Sequence, residues 1–147
     1  MTTHDFWPPW LKGWLGVLAM AIANGALRNA VTQPLWGEEV ARRSATVLLL
    51  VAMAFYVWWF ERRHPLPSAR RAWQVGVAWS AMTLTFEFGL GLATGLSWST
   101  MLADYDLTAG RIWVFVPLFT AVAPAFARNL RLRAARRSRS ISVDHHG

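Results

Sequence analysis

The stretch that decides the fold is Leu15-Gly16-Val17-Leu18-Ala19-Met20-Ala21-Ile22-Ala23, followed at once by Asn24-Gly25-Ala26-Leu27-Arg28-Asn29. The first part is uncharged and rich in small residues, and it belongs to an apolar run over about 10–30. At about 1.5 Å per residue, a helix of that length crosses the hydrocarbon of a bilayer. Pro8 and Pro9 stand just ahead of it, where a helix start tolerates proline. The second part is the awkward one. An arginine between two asparagines is costly in hydrocarbon, so it predicts a partner or a purpose.

Outward from this run, the same pattern recurs three times. Pro34 and Gly37 in the segment Val31 to Glu39 predict a turn, and Glu38 and Glu39 suit the first turn of a second helix. The second run, about 44–60, is bare of charge until Tyr56, Trp58 and Trp59 mark an interface, followed by Glu61-Arg62-Arg63. After a Pro-rich connection, a third run covers about 73–96 with one charge inside it, Glu87. A polar linker holding Trp98, Asp104, Tyr105 and Asp106 leads to a fourth run over about 112–127. That run contains Pro117 and Pro124, which bend membrane helices. The basic segment 134–147 is expected to be a disordered tail. The expected fold is therefore all-α, a single four-transmembrane-helix bundle over residues 1–133.

Composition agrees. The 147 residues are 54% hydrophobic and include ten Trp, too many for a small soluble core but suited to aromatic belts. No cysteine is present, which excludes disulfides, thiol catalysis and thiolate metal sites. Met1 to Pro9 lacks the basic cluster and cleavage site of a signal peptide. The net charge of +7 need not mean nucleic acid, because its placement fits a bilayer. With both termini cytoplasmic, eleven basic residues lie inside (Lys12, Arg62, Arg63, Arg70, Arg71 and the six arginines from Arg128 to Arg139). Only Arg28, Arg42, Arg43 and Arg111 lie outside. That is the direction of the positive-inside rule.

In this orientation runs one and three are parallel, and Arg28 and Glu87 fall within about two turns of each other in depth. Neither charge should face lipid, so an Arg28–Glu87 ion pair is expected, with Asp104 or Asp106 as alternative partners for Arg28. Gly76, Ser80, Thr83, Glu87, Gly91 and Thr94 recur at helical spacing along one face of run three, while Met20, Asn24 and Arg28 share a face of run one. Two readings stand side by side. One is a helix-packing seam whose charges satisfy each other. The other is a hydrated cavity open outward, lined by Asn24, Arg28, Thr83 and Glu87, with Asn29, Asp104, Asp106 and Arg111 at its mouth.

Two family patterns are only partly matched. Gly25-Ala26-Leu27-Arg28 is similar to the Gly-x-x-Arg element of small dual-topology fluoride channels, but the Gly- and Thr/Ser/Phe-rich break of their third span is absent. Small multidrug-resistance transporters carry an acid in span one, and this chain has none there. The chain also resembles small bacterial four-span integral membrane proteins of unknown function. The resemblance rests on Asn24-Gly25-x-Leu27-Arg28-Asn29 with Pro34 and Gly37, on Phe86-Glu87-Phe88, and on Asp104-Tyr105-Asp106-Leu107 before Gly110-Arg111. It implies a multi-pass protein of the bacterial inner membrane. Fourteen of fifteen basic residues being Arg is consistent with a GC-rich bacterial coding bias.

Catalytic motifs are lacking. Ser97, Ser99 and Thr100 have no nearby base, no His–carboxylate set occurs at ligand spacing within a run, and His4, His64 and the terminal His145-His146 stand apart. No metal or cofactor is expected. The expectation is a structural or accessory membrane protein with a buried Arg28–Glu87 cluster. The alternative is a small transporter or channel-like protein for an anion, proton or zwitterion; a membrane-embedded enzyme acting on lipid is the remotest. The expected partners are the lipid bilayer and, as an open option, a second copy or a larger membrane complex, but not nucleic acid.

Overall fold

The first apolar run folds as helix α1, Trp7–Leu27, with its prolines in the first turn. In a computed structural model that describes residues 5–144, with side chains to Ile141, the chain is helical nearly throughout and has no strand among the described residues. Met1 to His4 and His145-His146-Gly147 lie outside the described residues.

The turn expected within Val31 to Glu39 falls in that segment, at the second of its two breakers and not at Pro34. α1 continues through a π-helical turn, Arg28–Thr32, into the short α2, Gln33–Trp36. The cause is Pro34, which has no N–H and whose ring would strike a carbonyl one α-turn back; widening the turn relieves both problems. The break falls at Gly37 instead, whose φ of +84° a side chain would resist. Helix α3, Glu38–Arg63, then starts with Glu38 and Glu39 in its first turn, bonded to Arg42 and Arg43 four residues on.

After the Pro-rich connection, Ser68 caps α4, Ala69–Ala93, by accepting from the Arg71 amide. The linker forms a short helix α5, Trp98–Ala103, and one 3-10 turn, Leu107–Ala109. The last helix, α6, runs Phe115–Asp144. Two expectations change here. Pro117 sits in the first turn of α6 and costs no intrahelical bond, so only Pro124 lies inside the helix. The segment from 134 to 144, expected to be disordered, is helical, because Ala and Arg are strong helix formers.

Three helical stretches are long and apolar enough to cross a membrane: Trp7–Trp36, Glu38–Arg63 and Ala69–Ala93. α6 is as long, but its apolar part ends at Arg128. α4 packs most extensively on α6; α3 packs on both α6 and α1, and the α1–α4 contact that closes the ring is the thinnest. Gly76 explains the tight α4–α6 approach, since a Cβ there would collide with the Ala121 carbonyl. Gly13 and Gly16 likewise let the rings of Phe60 and Tyr56 settle on α1, where the Tyr56 hydroxyl donates to the Gly13 carbonyl at 2.8 Å.

The core lies near one end, around Trp10, Phe60 and Trp79. Trp79 donates to the Trp10 carbonyl at 2.8 Å and Trp10 to the His64 carbonyl at 3.2 Å. Outside, large apolar side chains such as Leu15, Ile22, Phe55, Val77, Leu118 and Phe126 are exposed on every long helix. Apolar exposure on that scale suits lipid rather than water.

Candidate functional site

Runs one and three do meet, but only over half their length. Trp10–Trp79 and a Trp14 Nε1 to Thr83 Oγ1 bond at 3.1 Å join α1 to α4 near the core. Toward the other end the two helices part, and the gap is a cleft of about 380 Å³. Asn24, Arg28, Arg42, Glu87, Asp104 and Trp113 contribute its polar wall, with Ala21, Gly25, Leu90 and Gly91 among the apolar groups. A second hollow of about 260 Å³ shares Arg28, Arg42 and Asp104 with it and adds Gln33, Glu38 and Thr100. The two form one polar region at the end of the bundle that carries the 28–43 segment and the 98–111 linker.

Arg28 and Glu87 share this cleft, but they do not form the expected ion pair. Glu87 accepts from the Tyr105 hydroxyl at 2.7 Å, and Phe88 stacks on Tyr105 and on Trp98. Glu87 and Phe88 therefore anchor the linker to α4, while Phe86 meets Trp14 of α1 edge-on. Asp104 is taken by Arg111 at 2.8 Å, and Asp106 caps its own turn by accepting from the Thr108 amide and hydroxyl. None of the three proposed acids pairs with Arg28. Its guanidinium donates to Asn29 Oδ1 at 3.2 Å, and among the described residues no carboxylate lies within ion-pairing distance. The reason lies in the packing: α4 spends its close contacts on α6, which leaves α1 standing off at this depth.

One further group faces the same space without a partner. Asn24 Oδ1 is buried and makes no hydrogen bond, whereas the buried Trp113 Nε1 is directed at the Glu87–Tyr105 pair. Buried polar atoms without partners are uncommon and call for a reason, such as a ligand or solvent in the cleft. The polar stripe predicted on α4 is thus real in spacing but divided in use. Ser80 donates to the Pro117 carbonyl of α6, Thr83 serves α1, Glu87 holds the linker, Gly91 receives Met101 of α5, and Thr94 caps its own helix. Thr83 lies outside the cleft, contrary to the cavity reading.

Electrostatics outside the long helices follow from these bonds. Burial, then the bond to Glu87, raises the Tyr105 phenol well above its usual range. The Thr108 hydroxyl, with its amide, holds the exposed Asp106 carboxyl below its usual value. No group of three or more His, Asp or Glu residues able to hold a metal occurs among the described residues.

One polar cluster had no counterpart in the sequence reading. Glu61 is fully buried at the opposite end, where Arg131 of α6 grips both carboxylate oxygens at 2.8 and 3.0 Å. The Leu66 amide also donates to it, and Arg128 donates to the Leu66 carbonyl at 3.1 Å. Its signal was available: Glu61 is the only acid between Trp58 and Arg71. Comparison of the chain with protein-family models, curated proteins and solved structures finds no match.

Proposed function

We propose that this chain is a small four-span protein of a bacterial inner membrane whose cleft binds an anionic or zwitterionic small solute from the outer side. The observation that carries the reading is Arg28: a guanidinium without an acid partner, in a cleft that also holds an unpartnered Asn24 oxygen. A charge left uncompensated at such depth is expensive, and a bound anionic group would offset the cost. Glu87 supplies an acceptor on the facing wall, which suits the amine of a zwitterion.

The topology supports the same reading. The eleven basic residues assigned to the inner side gather at the end with Glu61 and Arg131, and Arg28, Arg42, Arg43 and Arg111 gather at the cleft end. With the richer end cytoplasmic, both termini lie inside and the cleft opens outward. α6 then serves as the fourth span, its short apolar part extended by its contacts with α3 and α4. Below the cleft α1 meets α4 through Trp10, Trp79, Trp14 and Thr83, so the reading is a one-sided binding state, as a carrier or solute receptor has, rather than an open pore.

The chain has no native cysteine, so the test is direct. In spheroplasts, Asn24→Cys should react with a membrane-impermeant maleimide, and carboxylate or amino-acid solutes should protect it. Thr83→Cys, tied against Trp14, should stay unlabelled. Failure of Asn24→Cys to react would remove the cleft as a site. Reaction without protection by any charged solute would leave the accessory, purely structural role, which the tight Glu61–Arg131 end favours.

A further inference from the structure

Between α3 and α6, on the outside of the bundle, runs a groove of about 370 Å³ whose walls are almost wholly apolar. Val51, Phe55 and Trp58 of α3 form one side, and Phe119, Phe126 and Leu130 of α6 the other. The two helices run in the same direction here. The groove therefore points along the bundle and opens toward the end that holds Glu61.

What lies past its mouth decides the occupant. On a helix, residues three and four apart share a face. The α3 wall continues from Phe55 and Trp58 to Arg62, and the α6 wall from Phe126 and Leu130 to Arg133 and Arg137. All three arginines are exposed, and none is in an ion pair among the described residues. Arg62 lies over the Trp58 ring at 4.1 Å from its centroid, so the groove wall itself positions that guanidinium. Arg128 and Arg131, between them in sequence, turn inward to the Leu66 carbonyl and Glu61. The arginines of α6 are thus sorted, one set bonding inside the bundle and the other continuing the apolar wall.

We propose that the groove holds an acyl chain of a phospholipid with an anionic headgroup, whose phosphate is bound by Arg62, Arg133 and Arg137. A tail slot ending in a basic cluster matches an amphiphile with an apolar chain and a negative head. A second copy packed face to face would bring no compensating acid to the mouth, because this face carries none among the described side chains. The inference needs only that the chain lies in a bilayer, and it stands apart from the solute cleft at the other end.

The test uses the full chain in detergent with phosphatidylglycerol or phosphatidylcholine of matched acyl chains, read by native mass spectrometry. The wild type should retain phosphatidylglycerol in preference. Replacing Arg62, Arg133 and Arg137 with Gln should weaken that preference roughly fivefold per arginine. Replacing Lys12, Arg63 and Arg70 instead removes the same charge away from the mouth and should leave it intact. Ala54→Leu, at an exposed groove position, should reduce retention of either lipid without changing the unfolding midpoint. Equal loss in both triple variants would overturn the site in favour of diffuse charge, and an unchanged preference in the first would overturn it outright. A lipid-free dimer broken by Ala54→Leu would assign the groove to a second copy instead.

Discussion

Each end of the bundle carries a glutamate on a long helix, and the two are handled in opposite ways. At the closed end Glu61, its side chain 1% exposed, is gripped at both oxygens by Arg131 and capped by the Leu66 amide. At the cleft end Glu87 has only neutral donors, the Tyr105 phenol and the nearby Trp113 indole, while the arginine at comparable depth, Arg28, bonds only an asparagine. The closed end has matched each buried charge and filled the space between. The cleft end has matched its acids to neighbours in the linker and left a cation and the Asn24 oxygen facing an open space. Fully satisfied polar networks rigidify a fold, whereas partly satisfied ones are affordable only where something else completes them.

The largest effect should come from breaking the closed end. Glu61→Ala strands Arg131 and the Leu66 amide, and removal of one partner of a buried pair costs about 3–5 kcal/mol. Unfolding in a denaturing detergent should show that loss. A variant within about 0.5 kcal/mol of wild type, the range of a surface change, would mean that the pair is solvated. Next comes Gly76→Ala, which forces α4 away from the Ala121 carbonyl and should cost about 1–3 kcal/mol through overpacking. The same change at Gly25, which has nothing near it, should be close to neutral. If the two glycine variants behave alike, the α4–α6 approach is looser than described.

The cleft end should behave differently. Arg28→Gln should not lower stability and should raise it, because no acid loses a partner and an uncompensated charge is removed. A loss as large as that of Glu61→Ala would reveal a hidden pair and erase the contrast between the ends. The smallest effect is in pH. Burial and the bond to Glu87 raise the Tyr105 phenol, so its contribution to stability is fully present below the unfolded tyrosine value of about 10. It is lost as pH climbs from there toward the folded value. Phenolate absorbance, compared between wild type and Tyr105→Phe, should therefore show this residue ionising later than ordinary tyrosine. Ionisation near pH 10 would mean that the linker does not close over Glu87.

Much of this was legible in the chain. The apolar runs located the long helices to within about two turns, except at the end of α6, which continues to Asp144, since hydrophobic length is set by the helix rise alone. The depth match of Arg28 and Glu87 was legible for the same reason, and both residues do line one cleft. Their pairing was not. A shared depth says nothing of lateral distance, and that distance depends on α4 closing on α6 through Gly76 and Ser80 rather than on α1. Glu61 escaped notice because beside Arg62 and Arg63 it looks like one member of a solvated interfacial cluster. Its true partner lies seventy positions away in a tail rich enough in arginine to offer several candidates.

By itself the sequence determined the composition of the surfaces: which segments are helical and apolar, which ends are basic, and that a charged pair interrupts the apolar runs. These are sums over local properties, and local properties can be read in order. Only the tertiary structure decided that the runs part at one end and zip together at the other. It also decided that Pro34 widens a turn instead of ending a helix, and that two apolar walls run on into three exposed arginines. Those outcomes depend on which helix wins the contest for close approach, and the contest is settled by glycine, serine and tryptophan positions acting across the bundle at once.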